Sequence, residues 1–298
     1  MRITEGRIAY DFLSSVNKSR EAMVKLQSDL ATGYRVQKVS DDPGAASSIL
    51  RLQGTIDRNT QYQKNVTDGQ GALESGASAL DQMVSLLEQA KAIVVQSQDG
   101  QQTSSMMAYG DQLGHIIDEA INCANTPFNG KYLFSGSATT TVPYVSVDNP
   151  TSPPSQTVTY AGNTDVLQYP TGDAFQQQVS VPGSDAFGTT ALFSTLISIK
   201  DSLHAGIAPS AADQAALNQS FSAVTDTASK IGSMLQGLDS QSAHLTEQTT
   251  QLKANLSGVW ETDVAEATLQ LKQNETMLNA ALNAGAQIIP KSLVDYLK

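Results

Sequence analysis

Cysteine is almost absent. Cys123 is the single one in 298 residues, so no internal disulfide can form and no multi-thiolate metal site is available. Aromatic residues make up 6%, with one tryptophan, and charged residues make up 16%. An ordinary globular protein carries roughly 25% charged residues. Ala, Ser, Thr, Gln and Asn fill the space instead. Such a chain has modest material for one broad core and suits long helices lying side by side, where small residues allow close approach. Cations are also short. The formal net charge is −11 and the pI about 4.6. No Lys/Arg cluster interrupts the acid, so phosphate neutralisation on nucleic acid is not expected, nor attachment to an anionic membrane surface. No run approaches about 18 apolar residues, so no membrane span is expected. The opening "MRITEGRIAYDF" has no apolar h-region, which by itself excludes an ordinary secretory signal and points to the cytosol.

What the chain has is helical periodicity. The length allows two or three domains. Phe12, Val16, Met23, Leu26 and Leu30 step in threes and fours, with Ser19 at the skipped place. Thr32-Gly33 reads as a helix stop, because glycine takes a left-handed end at little cost. Asp41 or Asp42 reads as the next N-cap and Pro43 as a first-turn residue. A second series follows through Ile49, Leu52, Ile56, Val66, Leu73, Leu80, Leu87 and Val94, until "SQDGQQ" interrupts it. A further helix is expected over about 104–126, stopped by "NTPFNG".

The middle, 131–195, changes character. Thr, Val, Tyr, Pro and Gly dominate, and short runs such as "TVTY" and "QQVSV" read as strands between turns. Helix is expected again at about 190–207 and after 211. Leu217, Val224, Ile231, Leu238, Leu245, Leu252 and Val259 form a regular seam. Past Val259 the phase slips by one residue, and the seam resumes at Val264, Ala267, Leu271, Leu278 and Ala281. A second line through Leu269, Met277, Ala280, Ala284 and Ile288 gives the last helix another apolar face, and Leu282 adds to its apolar surface. Two apolar faces call for more than one neighbour. The sequence closes on "NAGAQIIPKSLVDYLK", an apolar tail carrying Ile289 and Leu293 that needs a partner. The expected fold class is mainly α: a long antiparallel helical bundle or coiled coil built from the N- and C-terminal regions, with a small β-rich central insert.

Nothing in the chain asks to be read as an active site. The carboxylates of "SDDPG" are taken up by helix capping. His115 with Asp118 and Glu119, and His244 with Glu247, share helix faces but do not supply the three or four ligands that zinc takes. No basic residue lies close enough in sequence to Cys123 to activate it. There is no G-x-S-x-G and no phosphate-cradling glycine loop. No enzyme activity, metal or cofactor is expected.

"LATGYRVQKVSDDPGAA" near the start and "DVAEATLQLKQNETMLNAALNAGAQIIPKSLVDYL" at the end resemble the terminal signatures of the bacterial flagellin superfamily. "YLFSGSATTTVPY", "VTYAGN" and "VSVPGSDAF" resemble the insert of its hook–filament junction members. The resemblance implies an architecture of three parts. Residues 1–40 with 261–298 would form an inner, channel-lining domain, 41–130 with 196–260 a helical rod, and 131–195 an outward-pointing β-rich domain. It implies a structural adaptor that joins the hook-associated ring to the flagellin filament. The implied partners are the first hook-associated protein, flagellin, copies of the chain itself in a ring, and a cytosolic export chaperone on the C-terminal region. It also implies an extracellular place in the flagellum, reached through the type III export apparatus without a cleaved signal. The assembly interface is expected at Phe12, Val16, Met23, Leu26, Leu30, Val264, Leu269, Leu271, Met277, Leu278, Leu282, Ile288, Ile289 and Leu293, with the helix break and cap at Gly33, Asp41, Asp42 and Pro43. A short filament-forming flagellin is the alternative. A flagellin scaffold carrying a protease insert is disfavoured by the short insert and the lack of H-E-x-x-H.

Overall fold

Small residues and regular apolar steps give long helices here, and breaks fall where glycine, proline or a capping aspartate intervenes. The computed structural model describes residues 2–98, 103–149 and 155–288. Among these, the element order is α1 (Arg2–Thr32), α2 (Pro43–Gln96), α3 (Thr103–Ala124), β1 (Pro127–Phe128), β2 (Lys131–Tyr132), β3 (Tyr144–Asn149), β4 (Ser155–Tyr160), β5 (Gln168–Pro170), β6 (Gln176–Gln178), α4 (Gly183–Ala186), α5 (Ala191–His204), α6 (Ala211–Trp260) and α7 (Val264–Ile288). The mainly helical fold with a small β-rich centre agrees with the sequence expectation. The chain divides into two compact units, Met1–Arg58 with Thr249–Lys298, and Asn59–Gln248.

The Asn59–Gln248 unit holds the larger core. Leu73, Leu80 and Leu87 of α2 are buried together with Leu113 and Ile117 of α3, Leu196 and Ile199 of α5, and Val224 and Ile231 of α6. The seams at 66–94 and 217–245 are therefore interior. The insert joins this core through aromatics. The Tyr144 ring centre lies 4.9 Å from Phe193 and 5.8 Å from Phe187, which meets Phe134 edge-on at 5.0 Å. The Tyr144 hydroxyl donates to the Gly188 carbonyl at 2.8 Å, and burial pushes its ionisation well above the usual phenol range. Two glycines of α2 let side chains of the β-rich region approach. A β-carbon on Gly69 would sit 2.7 Å from Val179 Cγ1, and one on Gly71 would sit 2.9 Å from Phe128 Cζ.

The strands form three separate two-stranded antiparallel sheets, β1–β2, β3–β4 and β5–β6. "TVTY" lies in β4, paired in register from Tyr144↔Tyr160 to Asn149↔Ser155. "QQVSV" is a strand only in its first part, since β6 ends at Gln178. Beyond it, Val179 donates to the Leu167 carbonyl and Ser180 Oγ accepts from the Leu167 amide, so that stretch is fixed by isolated bonds and apolar burial, without a ladder.

The Met1–Arg58 and Thr249–Lys298 unit contains the pair α1/α7. It also has a small core of Val36, Ala46 and Ile49, closed by Leu256, Val259 and Trp260. The phase slip after Val259 is a true break. Helix α6 ends at Trp260, Glu261 bridges to Tyr34, and α7 starts afresh at Val264.

Candidate assembly site

Helix α1 ends on a conformation that only glycine adopts freely. Gly33 has φ +78°, and its amide closes onto the Asp29 carbonyl at 2.9 Å. The following link is held by the two aspartates, which have different tasks. Asp42 Oδ1 accepts from the Ala45 amide at 2.9 Å, so Asp42 is the N-cap of α2 and Pro43 its first residue. Asp41 does not cap the helix. Its Oδ2 accepts from the amides of Gln37 and Lys38 at 3.1 and 2.9 Å, and its Oδ1 lies 3.6 Å from Lys25 Nζ. The Lys38 amide holds the Asp41 carboxyl below the usual carboxylate range. The Ala45 amide does the same for Asp42, helped by the Arg35 guanidinium.

The other strand of the joint is the α6–α7 break. Arg35 donates its amide to the Trp260 carbonyl at 2.9 Å and its Nη2 to the Val259 carbonyl at 3.1 Å. Tyr34 stacks on the Trp260 ring with centres 4.3 Å apart. The Thr262 amide donates to the Gly33 carbonyl at 2.9 Å. Asp263 then caps α7, its Oδ1 accepting from Ala265 and Glu266 amides at 2.9 and 3.1 Å. Tyr34, Arg35, Trp260 and Asp263 are not among the residues expected from sequence. Asp263 followed by Glu266 is the capping pattern that could have located this break.

From this joint α1 and α7 run as a pair. Val16 and Ala267 are buried, and Phe12, Met23, Leu26, Leu30, Leu271 and Leu278 are half-buried. Gly285 is buried because Phe12 lies over it: a β-carbon there would collide with the Phe12 ring. Val264, placed on the seam by spacing, is 61% exposed at the start of α7. Leu269 and Met277 are each 60% exposed, and Leu282 is exposed too. On α1, Tyr10, Leu13 and Val24 are exposed. The pair thus covers one apolar face of each helix and leaves another open. Ile289 and Leu293 lie outside the described residues, as does the side chain of Ile288.

No group of three or more His, Cys, Asp or Glu side chains able to hold a metal occurs among the described residues. No described helix is long and apolar enough to cross a membrane. Cys123 is buried, with its sulfur 3.5 Å from Gln82 Oε1. Burial, with the Glu119 charge adding, pushes its thiol up, away from nucleophilic use. The arrangement is suited to docking other helices.

Comparison with known proteins agrees with this geometry. Residues 6–139 match the family model described as the bacterial flagellin N-terminal helical region, and residues 215–297 match the bacterial flagellin C-terminal helical region. The chain is 24% identical to the flagellin of Bacillus subtilis over the full length of both chains. It is 30% identical to flagellar hook-associated protein 3 of Salmonella typhimurium over 48% of this chain and 46% of that one. The chain thus spans about half of the hook-associated relative. The crystal structure of Bacillus cereus FlgL superposes with a TM-score of 0.59 at 19% identity, over 70% of this chain and 99% of that one, a likeness of fold.

Proposed function

We propose that this chain, which belongs to the bacterial flagellin family of flagellar structural proteins, is the adaptor between the hook-associated ring and the flagellin filament. The open apolar face of the terminal pair carries this reading. Leu269 and Met277 on α7, and Tyr10, Leu13 and Val24 on α1, remain uncovered when the two helices pair. An apolar surface of that kind is an association surface. In a ring of copies each terminal helix meets a neighbour, and the second face is covered.

In this reading, residues 1–40 and 261–298 form the channel-lining part, 41–130 and 196–260 the rod, and 131–195 the outer part. The residues named above on α1 and α7, together with Ile288, Ile289 and Leu293, make the contacts. The first hook-associated protein lies on one side and flagellin on the other. Before export an apolar C-terminal region needs cover, which a cytosolic chaperone supplies, and the chain passes through the type III apparatus unfolded. The cost of ordering the ends is offset at the growing tip, where neighbours supply the buried area. Deletion in the native bacterium tests the role. Hooks should persist while flagellin escapes into the medium.

A second reading is a short filament-forming flagellin. The end-to-end match to the Bacillus subtilis flagellin favours it. Purified protein that polymerises alone into long filaments would select it.

A further inference from the structure

The seam between α2 and α6 changes chemistry along its length. Around Leu80 and Leu87 it is aliphatic and fully buried. Between residues 59 and 70 the aliphatic line continues through Val66, with Leu238 and Leu245 buried on α6, and amides and hydroxyls join it. Asn59 Nδ2 donates to Gln248 Oε1 at 3.0 Å, Gln63 Nε2 to Ser242 Oγ at 2.6 Å, and Gln70 Nε2 to Asp239 Oδ1 at 2.6 Å. Gln63 Oε1 is buried without a hydrogen-bond partner. Each such bond replaces one to water and nets less than burying a leucine. In this polar waist, closure of the helix pair is shared between Val66, Leu238 and Leu245 and a set of side-chain hydrogen bonds.

The β5–β6 hairpin lies across the same level. Two successive carbonyls of its turn tie it to opposite helices. Asn65 Nδ2 of α2 donates to Pro170 O at 2.8 Å, and Gln241 Nε2 of α6 donates to Thr171 O at 2.7 Å. Tyr62 adds a bond to Asp173 Oδ1 at 3.0 Å. Adjacent backbone carbonyls are one residue apart on the same backbone and cannot follow two helices that move apart. Sliding α2 past α6 by one residue, about 1.5 Å, would break at least one tie.

We propose that the β5–β6 hairpin is a splint, holding α2 and α6 together across the polar waist, so that local opening of this part of the shaft is governed from the insert. The proposal stands apart from the junction role and would hold for any member of the family with these contacts.

Native-state hydrogen exchange on the full-length chain tests it. Replacing both ties, Asn65→Ala with Gln241→Ala, should speed exchange of the amides in 59–70 and 239–248 by about tenfold or more, from the loss of two hydrogen bonds. Amides in 80–94 and 217–231 should be unchanged. Each single variant should give a smaller, equally local increase, and is read by the same criterion should the double variant not fold. Phe175→Ala, on the exposed side of the hairpin, serves as control and should leave both regions as they were. Uniform acceleration along the helices, or none at the waist, overturns the splint.

Discussion

Trp260 and Val36 are joined by one hydrogen bond, from the indole Nε1 to the carbonyl oxygen, at 3.0 Å. It ties the link that follows α1 to the last turn of α6, above a core of only three buried side chains. Trp260→Phe should keep the stacking on Tyr34 and strand the carbonyl, costing about 1 kcal/mol. Trp260→Ala should cost about 3 kcal/mol, since the ring and its packing go as well. Thermal melts of the full chain followed by circular dichroism read both. If the two variants melt together with the parent, the clasp does not hold the joint.

Gly33 has open space where a β-carbon would stand, so any penalty there is purely conformational. Gly33→Val should lose roughly 1–2 kcal/mol. Gly33→Asn should lose less, because asparagine tolerates the left-handed region. Equal melting of both variants and the parent would contradict the assigned helix end.

Phe12 and Gly285 make a lock between α1 and α7. Gly285→Val should separate the pair near its end at an overpacking cost of about 1–3 kcal/mol. Phe12→Ala in the same chain should recover most of that loss. Limited proteolysis, counting cuts within 2–20 and 275–288, distinguishes rescue from simple addition of two defects.

The open face of α7 should matter to assembly and not to folding. Leu269→Lys with Met277→Lys alters two side chains that are already 60% exposed, so melting should shift by less than about 0.5 kcal/mol. Filament attachment in the native bacterium should be lost. Normal swimming with the double variant would exclude this face from the interface.

Acid should loosen the link between α1 and α2 before the helices melt. Both Asp41 and Asp42 have carboxyls held below the usual range, by the Lys38 and Ala45 amides first. A depressed group stabilises the fold above its ordinary pKa and loses that contribution as pH falls through the lowered value. The Trp260 emission, a local reporter, should therefore change at pH below the usual carboxylate range while helix content is still high. Asp41→Asn should weaken the pH dependence of that signal. A profile identical to the parent's would remove Asp41 from the cause.

How far the sequence could be read depends on the range of the interactions involved. Gly33 and Pro43 act on neighbours within a few residues, and their places were legible; the cap was legible only as Asp41 or Asp42, which tertiary contacts of Asp41 separate. The helical seams through Leu80 and Ile231 were legible for the same reason, as repeats of a local period. The break after Trp260 left only a faint trace. The apolar steps Leu252, Leu256 and Val259 run straight into Ala267 and Leu271, leaving a one-residue slip as the trace. Gly285 gave no sign of its task, because the side chain it admits lies at the other end of the chain. Val179 and Val181 alternate like a strand, but a ladder needs a second edge, and only tertiary contacts decide whether one is supplied.

Gly69 and Gly71 of α2 make room for Val179 and Phe128, and they weaken the helix that carries them. Each costs about 1 kcal/mol against alanine in a helix interior. The segment around them has no reason to become helical until its distant contacts, Val179 and Leu238 among them, exist to cover it. A growing chain cannot complete this region while its second half is unmade. The Asn59–Gln248 unit therefore closes on contacts far apart in sequence, the kind that slow folding.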